Sequence, residues 1–385
     1  MQRRIVAPMS SPSIIIIGAG IGGLTLARTL LLHDLHIEVY EAQAHLQAPG
    51  GGLIVPPNSA RILERLGLRS VFQNGVSLRR MQIIDAVNGQ ALYVRDQHEV
   101  ERQQGRGLWA VSRSVLQAGL LEKLPPEVLS LQHRLDTVQE RGHESYLSFA
   151  NRRHVIGDLI VGADGAQSRT REILFPHVQL QPTGQTAVRG VLPARLPAKY
   201  EQSFTEFWGV GQRFTCFPIN DREVYWHAVL KSGDVSPTVT IPQLAQAYES
   251  FPAPVQALIQ ETPQAAMIVT PLRDLSPLPE WTKGNVVLLG DAAHATSPNL
   301  GQGAAQAIED AATLADLIAT ESDVHQAARR FQQRREHVAN AVVARSRQMG
   351  QLGQVGGAGR WFRNMTLKVN PDLARSRIEA FYDER

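Results

Sequence analysis

Cysteine is nearly absent: Cys216 is the single thiol in 385 residues. One thiol excludes an internal disulfide, a dithiol reductase and a zinc site built on several thiolates. Twelve histidines and that one cysteine show no ligand spacing, so no metal is expected. No apolar run approaches the ~18 residues of a membrane span. The run Ile14–Ile17 is also too short for the core of an export signal. It reads as a buried strand, with residues 1–12 as a loose lead-in, and the expected location is the cytoplasm. Charge of one sign is scarce as well. The net charge of +3 gives no argument for nucleic acid as a partner. A G-x-S-x-G nucleophile elbow is missing.

What is present describes a globular enzyme-sized chain. Hydrophobic residues make up 43% and charged residues 19%, enough apolar material for a buried core. At about 150 residues per domain the length predicts two or three domains. Ser13–Ile17 is a short β-branched run that ends in Gly18-Ala-Gly20-Ile-Gly22-Gly23, and Leu24–Leu32 follows with a helical apolar period. His36–Tyr40 is a second strand, closed by Glu41. Strand, glycine turn, helix and strand within about 30 residues make a dinucleotide-binding start. Gly18 permits the tight turn, Gly20 lets the backbone approach a pyrophosphate, and Gly23 lets helix and strand pack closely. The helix N-terminus then offers free N–H groups to phosphate. Glu41, 23 residues after Gly18, is placed to accept from a ribose.

Further along, the hydrophobic period changes repeatedly. Gly50–Gly52 marks a loop, and Asn58–Leu68 reads as a helix with Asn58 as its N-cap. Residues 76–97 alternate as a hairpin, and Ser112–Leu124 is a helix stopped by Pro125-Pro126. Residues 130–161 read as meander strands ending in a buried run. Residues 183–231 alternate again and are rich in aromatics, and 241–261 form one or two helices. Gly284–Gly290 is another buried strand, Gly301 opens an Ala-rich helix, and Val324–Gln354 is a long amphipathic helix. The nucleotide-type segments are split by the alternating ones. The expected organisation is therefore interleaved. It runs 1–75 nucleotide-binding, 76–97 a hairpin of a second domain, 98–180 nucleotide-binding, 181–275 the sheet of that second domain, 276–320 nucleotide-binding and 321–385 C-terminal helical.

Two further segments carry chemistry. Asp158–Arg171 is a strand running into a turn with Asp164, Gly165 and Ser168. Gly290-Asp291-Ala-Ala-His294 leads through Pro298 to Gly301-Gln302-Gly303-Ala304. At these residues the chain resembles the class A FAD-dependent monooxygenases, the para-hydroxybenzoate hydroxylase-like family. The resemblance spans nearly the whole chain. It rests on the G-x-G-x-x-G, the Asp164-Gly165 motif and the Gly290-Asp291 motif before P-x-x-G-Q-G, in that order. Arg113 also matches the family's R-x-x-L segment.

The resemblance implies an α/β fold in which a Rossmann-like FAD-binding domain is interleaved with an antiparallel-sheet substrate domain, plus a long C-terminal helix. It implies that Gly18, Gly20, Gly22 and Gly23 hold the FAD pyrophosphate, with Glu41 and Ala42 at the adenosine. Gly52 and Arg113 would lie against the flavin nucleotide, and Asp291 on the ribityl side. Gly301, Gln302, Gly303 and Ala304 would line the isoalloxazine, with Pro298 beside C4a. Asp164 would link the flavin and NAD(P)H sites. It implies FAD as cofactor, NAD(P)H as co-substrate, and O2 adding at C4a of the flavin to form a hydroperoxide. That group then hydroxylates an aromatic or heteroaromatic small molecule.

In the same comparison Arg213 and Tyr225 match the substrate-facing pair of the urate hydroxylases, and Arg189 matches an arginine near the flavin. These three and Pro298 are the expected catalytic residues. The tail around Gly350–Val369 resembles that of the alkylquinolone hydroxylases, and zeaxanthin epoxidases share the motifs. A flavin epoxidase, a dehydrogenase and a non-enzymatic FAD-fold binding module are the alternatives. The halogenase W-x-W-x-I-P and the Baeyer–Villiger F-x-G-x-x-x-H are not completed here. His294 reads as a structural hydrogen-bonder. Arg329, Arg330, Arg334, Arg335, Arg345 and Arg347 give the long helix a basic face, read as solvated or as a weak contact with an anionic membrane. The chain is expected to be a monomer or homodimer.

Overall fold

The computed structural model describes residues 12–46 and 51–369. The lead-in before residue 12, Gly50 and the C-terminal residues from 370 lie outside the described residues.

Four successive isoleucines, Ile14–Ile17, form the central strand of a six-stranded sheet. A run without polar alternation needs cover on both faces. Ile14, Ile15 and Ile16 are indeed fully buried. Leu159–Gly162 pairs parallel on one side of this strand and Ile37–Tyr40 on the other. Val286–Leu288 and then Thr282–Lys283 extend one edge, and Leu129–Ser130 the other. The helix Ile21–Leu31 follows the first strand and packs on the helix Gly303–Thr320. The long helix Val324–Gly353 packs on that one in turn. A small antiparallel sheet, Leu135–Arg141, Glu144–Phe149 and His154–Gly157, precedes the Leu159–Gly162 strand.

The second large sheet has seven strands in the order Ile268–Asp274, Gln181–Pro193, Glu223–Lys231, Arg213–Pro218, Ser203–Trp208, Arg80–Asp85, Ala91–Asp96. One pair departs from the expected antiparallel pattern: Ser203–Trp208 runs parallel to Arg80–Asp85. Residues 86–202 lie between those two strands in sequence, so no tight turn constrains their direction. One face of this sheet packs Phe207, Phe214, Cys216 and Trp226 against the helices Ile241–Ala247 and Ala253–Glu261. The opposite face looks toward the nucleotide-binding part through a three-stranded sheet of Gly52–Val55, Leu108–Ser112 and Val76–Leu78.

Two local expectations change. The helix after Gly52 spans Pro57–Arg65, with Pro56 as N-cap, so Asn58 lies inside its first turn. Proline at the first helical position needs no N–H partner and takes the place the asparagine was given. Asn58 instead donates through Nδ2 to Glu309. Residues 76–97 also divide: Val76–Leu78 joins the three-stranded sheet, and only Arg80–Asp85 and Ala91–Asp96 form the hairpin. Among the described residues, no helix is long and apolar enough to cross a membrane.

Candidate active site

The glycine turn is shaped by close approach. Gly18 has φ +105°, and a Cβ there would lie 2.5 Å from the Ala163 carbonyl oxygen. A Cβ on Gly23 would lie 2.0 Å from the Gly18 carbonyl oxygen, and one on Gly22 2.9 Å from Leu289. Around Gly20, by contrast, the space is open within 4 Å. The helix from Ile21 has no acidic residue in its first turn and no side-chain cap. Its leading N–H groups therefore face that open space. Glu41 closes the turn, accepting from the Ala19 N–H at 2.8 Å and the Gln43 N–H at 2.9 Å. Ala42 is exposed next to it.

The middle motifs are tied to each other. Asp164 accepts from Ser168 Oγ at 2.5 Å and from both N–H and Oγ1 of Thr170, at 2.9 and 3.0 Å. Ser168 caps the helix Arg169–Leu174, accepting from the Arg171 N–H, and the Asp164 carboxylate holds that cap and Thr170 in the first turn. Arg171 of that helix donates to the carbonyls of Asp291 and Ala292, at 3.3 and 3.0 Å. Asp291 is surrounded by protein and half-buried. Burial pushes its carboxyl up, against the pull of His294, Arg113 and Arg171. Burial lowers the Arg113 guanidinium, with Asp291 opposing that shift and Arg189 adding to it.

Beneath the Gly290-Asp291 loop lies a buried polar network. Asp310 accepts from the Gly290 N–H at 3.1 Å and pairs with His294 Nε2 at 2.6 Å. Arg335 donates to its other oxygen at 2.8 Å and also meets Glu309 and Gln306, at 3.2 and 2.6 Å. His294 has the structural role expected of it. The basic face of the long helix is solvated at Arg329, Arg330, Arg334 and Arg347, and the expectation is corrected at Arg335, which this network buries. Of the exposed ones, Arg347 holds Asp274, and Arg329 and Arg330 pair with Asp323 and Glu321. A buried acidic partner within reach removes an arginine from solvent even where its helix neighbours are polar.

The loop Pro298–Ala304 follows the Gly290-Asp291 loop and leads into the helix Gly303–Thr320. Pro298 is exposed, Gly301 has φ +65°, and the helix starts at Gly303. Between them Asn299 is buried. It donates to Ser297 Oγ at 2.9 Å, the Ser346 carbonyl at 3.0 Å and Gln185 Oε1 at 3.3 Å, and accepts from Arg213. Gln302 is buried, with an Oε1 that has no protein partner among the described residues.

On the seven-stranded sheet, strand register puts Arg189 opposite His227 and Thr215 opposite His227 on the other side. Tyr225 and Phe217 pair two positions along, so all five side chains share the face toward the nucleotide-binding part. Strand Gly52–Val55 touches this face closely: a Cβ on Gly52 would lie 2.6 Å from the Phe217 ring and 2.8 Å from Tyr225. Arg189 donates to Thr270 Oγ1 at 3.1 Å. Burial raises the Tyr225 phenol, while the neighbouring Arg189 and Arg113 pull it down. His227 is driven down to about 3, by burial first and then by Arg213 and Arg189, so its imidazole is neutral.

Arg213 lies on the same face, but its setting differs from that of a substrate-facing arginine. It is 1% exposed, donates to Asn299 and stands 3.7 Å from Glu206. The end of the long helix seals it: a Cβ on Gly353 would lie 2.1 Å from Arg213 Cδ. The sequence reading missed His227, Asn299 and Arg171 as site residues. His227 carries a signal, standing two positions from Tyr225 on one strand. Cys216 is fully buried, and burial pushes its thiol up to about 12, so it is inert.

These residues fit FAD. Gly20 leaves room for a pyrophosphate, the helix dipole and N–H groups at Ile21 would favour it, and the carboxylates of Asp291 and Glu41 would suit ribityl and ribose hydroxyls. Residues 12–346 match a family model described as an FAD binding domain. The chain belongs to this family. It is 36% identical over 356 residues to a 3-amino-4-hydroxybenzoate 2-monooxygenase of Streptomyces platensis, covering 88% of each chain. It is 31% identical over 377 residues to a 2-heptyl-3-hydroxy-4(1H)-quinolone synthase of Pseudomonas aeruginosa, covering 95% of this chain and 96% of the relative. Its fold matches the crystal structure of Klebsiella pneumoniae HpxO with FAD and uric acid at a TM-score of 0.87 and 24% identity, over 96% of both chains. The protein is an FAD-dependent monooxygenase that hydroxylates aromatic or heteroaromatic small molecules.

Proposed function

We propose that this monooxygenase uses NAD(P)H and O2 to hydroxylate a flat heteroaromatic ring that carries an oxo or hydroxyl group. The observation that carries the reading is the convergence of Arg189, Tyr225 and Arg113 on the side of the sheet facing the Pro298–Ala304 loop. Two guanidiniums beside a phenol favour an oxygen with negative character. Bound FAD would supply hydride acceptance from NAD(P)H and activation of O2.

The chain's own residues bind, orient and exclude water. Arg189 donates to the ring oxygen and raises its anionic character, which enriches the neighbouring carbon in electrons. Tyr225 holds the ring in the plane that Phe217 borders. Pro298 stiffens the loop that shields the reacting carbon from water. The helix from Gly303 would offer its positive end to the bound flavin. Arg213 acts through Asn299, holding that loop against the substrate sheet. Asp164 keeps the Arg169–Leu174 helix, and with it Arg171, under the Gly290-Asp291 loop. The quinolone and urate chemistry named for similar proteins supports an oxo-bearing ring.

The test is anaerobic reduction of the FAD-loaded protein by NADH and by NADPH, with and without 4(1H)-quinolone, urate or 3-amino-4-hydroxybenzoate. Acceleration by one ring, followed in air by a product one oxygen heavier, is the expected result. Reduction by a ring itself, with no oxygen transfer, would replace the reading with a flavin dehydrogenase.

A further inference from the structure

On the substrate sheet two adjacent side chains, Arg189 and His227, each hold a nitrogen without a hydrogen-bond partner. They are directly opposite each other on neighbouring antiparallel strands, which puts their Cβ atoms about 5 Å apart. Arg189 donates from Nη2 to Thr270 Oγ1, but its Nε is enclosed and meets no acceptor among the described residues. His227 is 8% exposed, and its Nδ1 is enclosed without a partner. The neighbours that could serve it are committed elsewhere. Thr215, opposite it on the other side, donates to Glu206 Oε1 at 3.1 Å. Tyr225, whose ring lies 5.8 Å away, is engaged by Arg189 and Arg113. Buried polar atoms are nearly always satisfied, so adjacent orphans on one face ask for a ligand.

Their row on the sheet is bracketed by two contacts. One row along, Arg213, which pairs with Val229, donates to Asn299 of the Pro298–Ala304 loop. One row the other way, Phe217 and Tyr225 meet Gly52, where a Cβ would lie 2.6 Å and 2.8 Å from them. The Arg189–His227–Thr215 row lies between, and Arg189 there is half-buried. His227 Nε2 has no protein partner among the described residues and is not enclosed, so the imidazole is open at that end. The proton follows from this. On Nδ1 it would make an enclosed donor with nothing to meet, the rarest kind of unpaired polar group. The one proton of a neutral ring therefore sits on Nε2. Burial, with Arg213 and Arg189 beside it, keeps the ring neutral.

We propose that His227 orients the substrate, donating through Nε2 to the same ring oxygen that Arg189 holds. The assignment rests on the oxo-bearing ring proposed above and goes further, to what fixes that ring's rotation. A single donor leaves the ring free to pivot about its oxygen. Two donors from neighbouring strands, their Cβ atoms about 5 Å apart, take both lone pairs and leave one in-plane orientation. The ring selected is therefore one with an unblocked oxygen, oxo or oxyanion. A ring without that oxygen leaves a guanidinium and an imidazole N–H desolvated and unpaired. The site then rejects it by more than the loss of one contact.

The test is equilibrium binding to the FAD-loaded protein, read from the change in flavin absorbance. Two pairs of rings are compared: 4(1H)-quinolone with quinoline, and 3-amino-4-hydroxybenzoate with 3-aminobenzoate. In each pair the second ring lacks the oxygen. For one pair the parent is expected to prefer the oxygenated ring by about a hundredfold or more. His227→Leu should cut that preference about tenfold, while His227→Gln, whose Nε2 can donate in the same place, should keep most of it. A ratio taken within one protein does not move with stability, so a merely structural His227 leaves it unchanged. An unchanged preference in His227→Leu, a His227→Gln that falls as far, or equal binding of both members by the parent would each overturn the assignment. If the parent binds none of the four rings, the ring class proposed above falls and the role of His227 with it. If the preferences behave as expected but no oxygen is transferred, the proposed reaction fails alone and the grip on the ring oxygen stands.

Discussion

Arg171 donates through Nη1 to the main-chain carbonyl of Ala292, 3.0 Å away and 121 positions along the chain. The arginine belongs to the helix whose first turn Asp164 holds, and the carbonyl to the segment that presents Asp291. Two motifs separated by the substrate sheet are thereby held in one geometry. Arg171→Met would leave these carbonyls and that of Ala166 without their donor. The expected outcome is a fall in FAD affinity of about tenfold or more, measured by fluorescence titration of apoprotein. Arg171→Lys recovers only part, because one ammonium cannot reproduce the fork.

The glycines of the first turn separate folding from cofactor binding. Gly23→Ala places a methyl 2.0 Å from the Gly18 carbonyl oxygen, backbone against backbone, so the apoprotein itself is expected to lose several °C of Tm. Gly20→Ala meets nothing within 4 Å. Its apoprotein should melt within about a degree of the parent while its FAD affinity drops at least about tenfold. Differential scanning fluorimetry with and without FAD reads both effects at once.

Asp291 and Asp310 should respond to pH with opposite signs. Burial raises the Asp291 carboxyl above its ordinary 3.8. The folded chain then holds that proton more tightly than the unfolded one. Its stabilising share is full below the ordinary value and lost as pH rises through the raised one. Apo Asp291→Asn is therefore expected to melt higher than the parent at pH 7, and to lose that advantage as pH falls below 3.8. Its FAD affinity drops all the same. For Asp310 burial acts upward, but His294 and Arg335 outweigh it and the carboxyl is lowered. Its stabilisation is present above 3.8 and lost as pH falls through the lowered value. Asp310→Asn should melt lower at pH 7, and the gap should close toward strong acid. Parallel melting curves for the two variants across pH would contradict this assignment.

Legibility followed the range of the constraint. The Gly18–Gly23 turn is dictated by contacts among residues a few positions apart, so its pattern survives in the sequence. The all-isoleucine strand announces cover on both faces in the same way. The Asp310–Arg335 pair joins two helices, and nothing local to Arg335 distinguishes it from the solvated arginines around it. Arg213 and Asn299 meet across 86 positions. A substrate-facing role could be carried over to Arg213 from a family pattern, but its burial under Gly353 could not be read from the pattern.

His227 is the residue whose chemistry depends most on its neighbours. Its ring stands 5.8 Å from that of Tyr225, between strands that carry Arg189 and Thr215. Its Nδ1 is enclosed and has no hydrogen-bond partner among the described residues. Burial, then Arg213 and Arg189, hold its value down near 3. Between that value and the ordinary 6.5, the unfolded chain binds a proton that the folded chain refuses, so stability must rise with pH across this window. His227→Gln, neutral at every pH, removes that term. The variant should match or exceed the parent in Tm at pH 5 and fall relative to it by pH 8, where the parent's His227 is neutral both folded and unfolded and only packing differs. A ring proton resonance of His227 that titrates between pH 5 and 8 in the folded protein would show the imidazole charged on the face where two guanidiniums leave no room for a third cation.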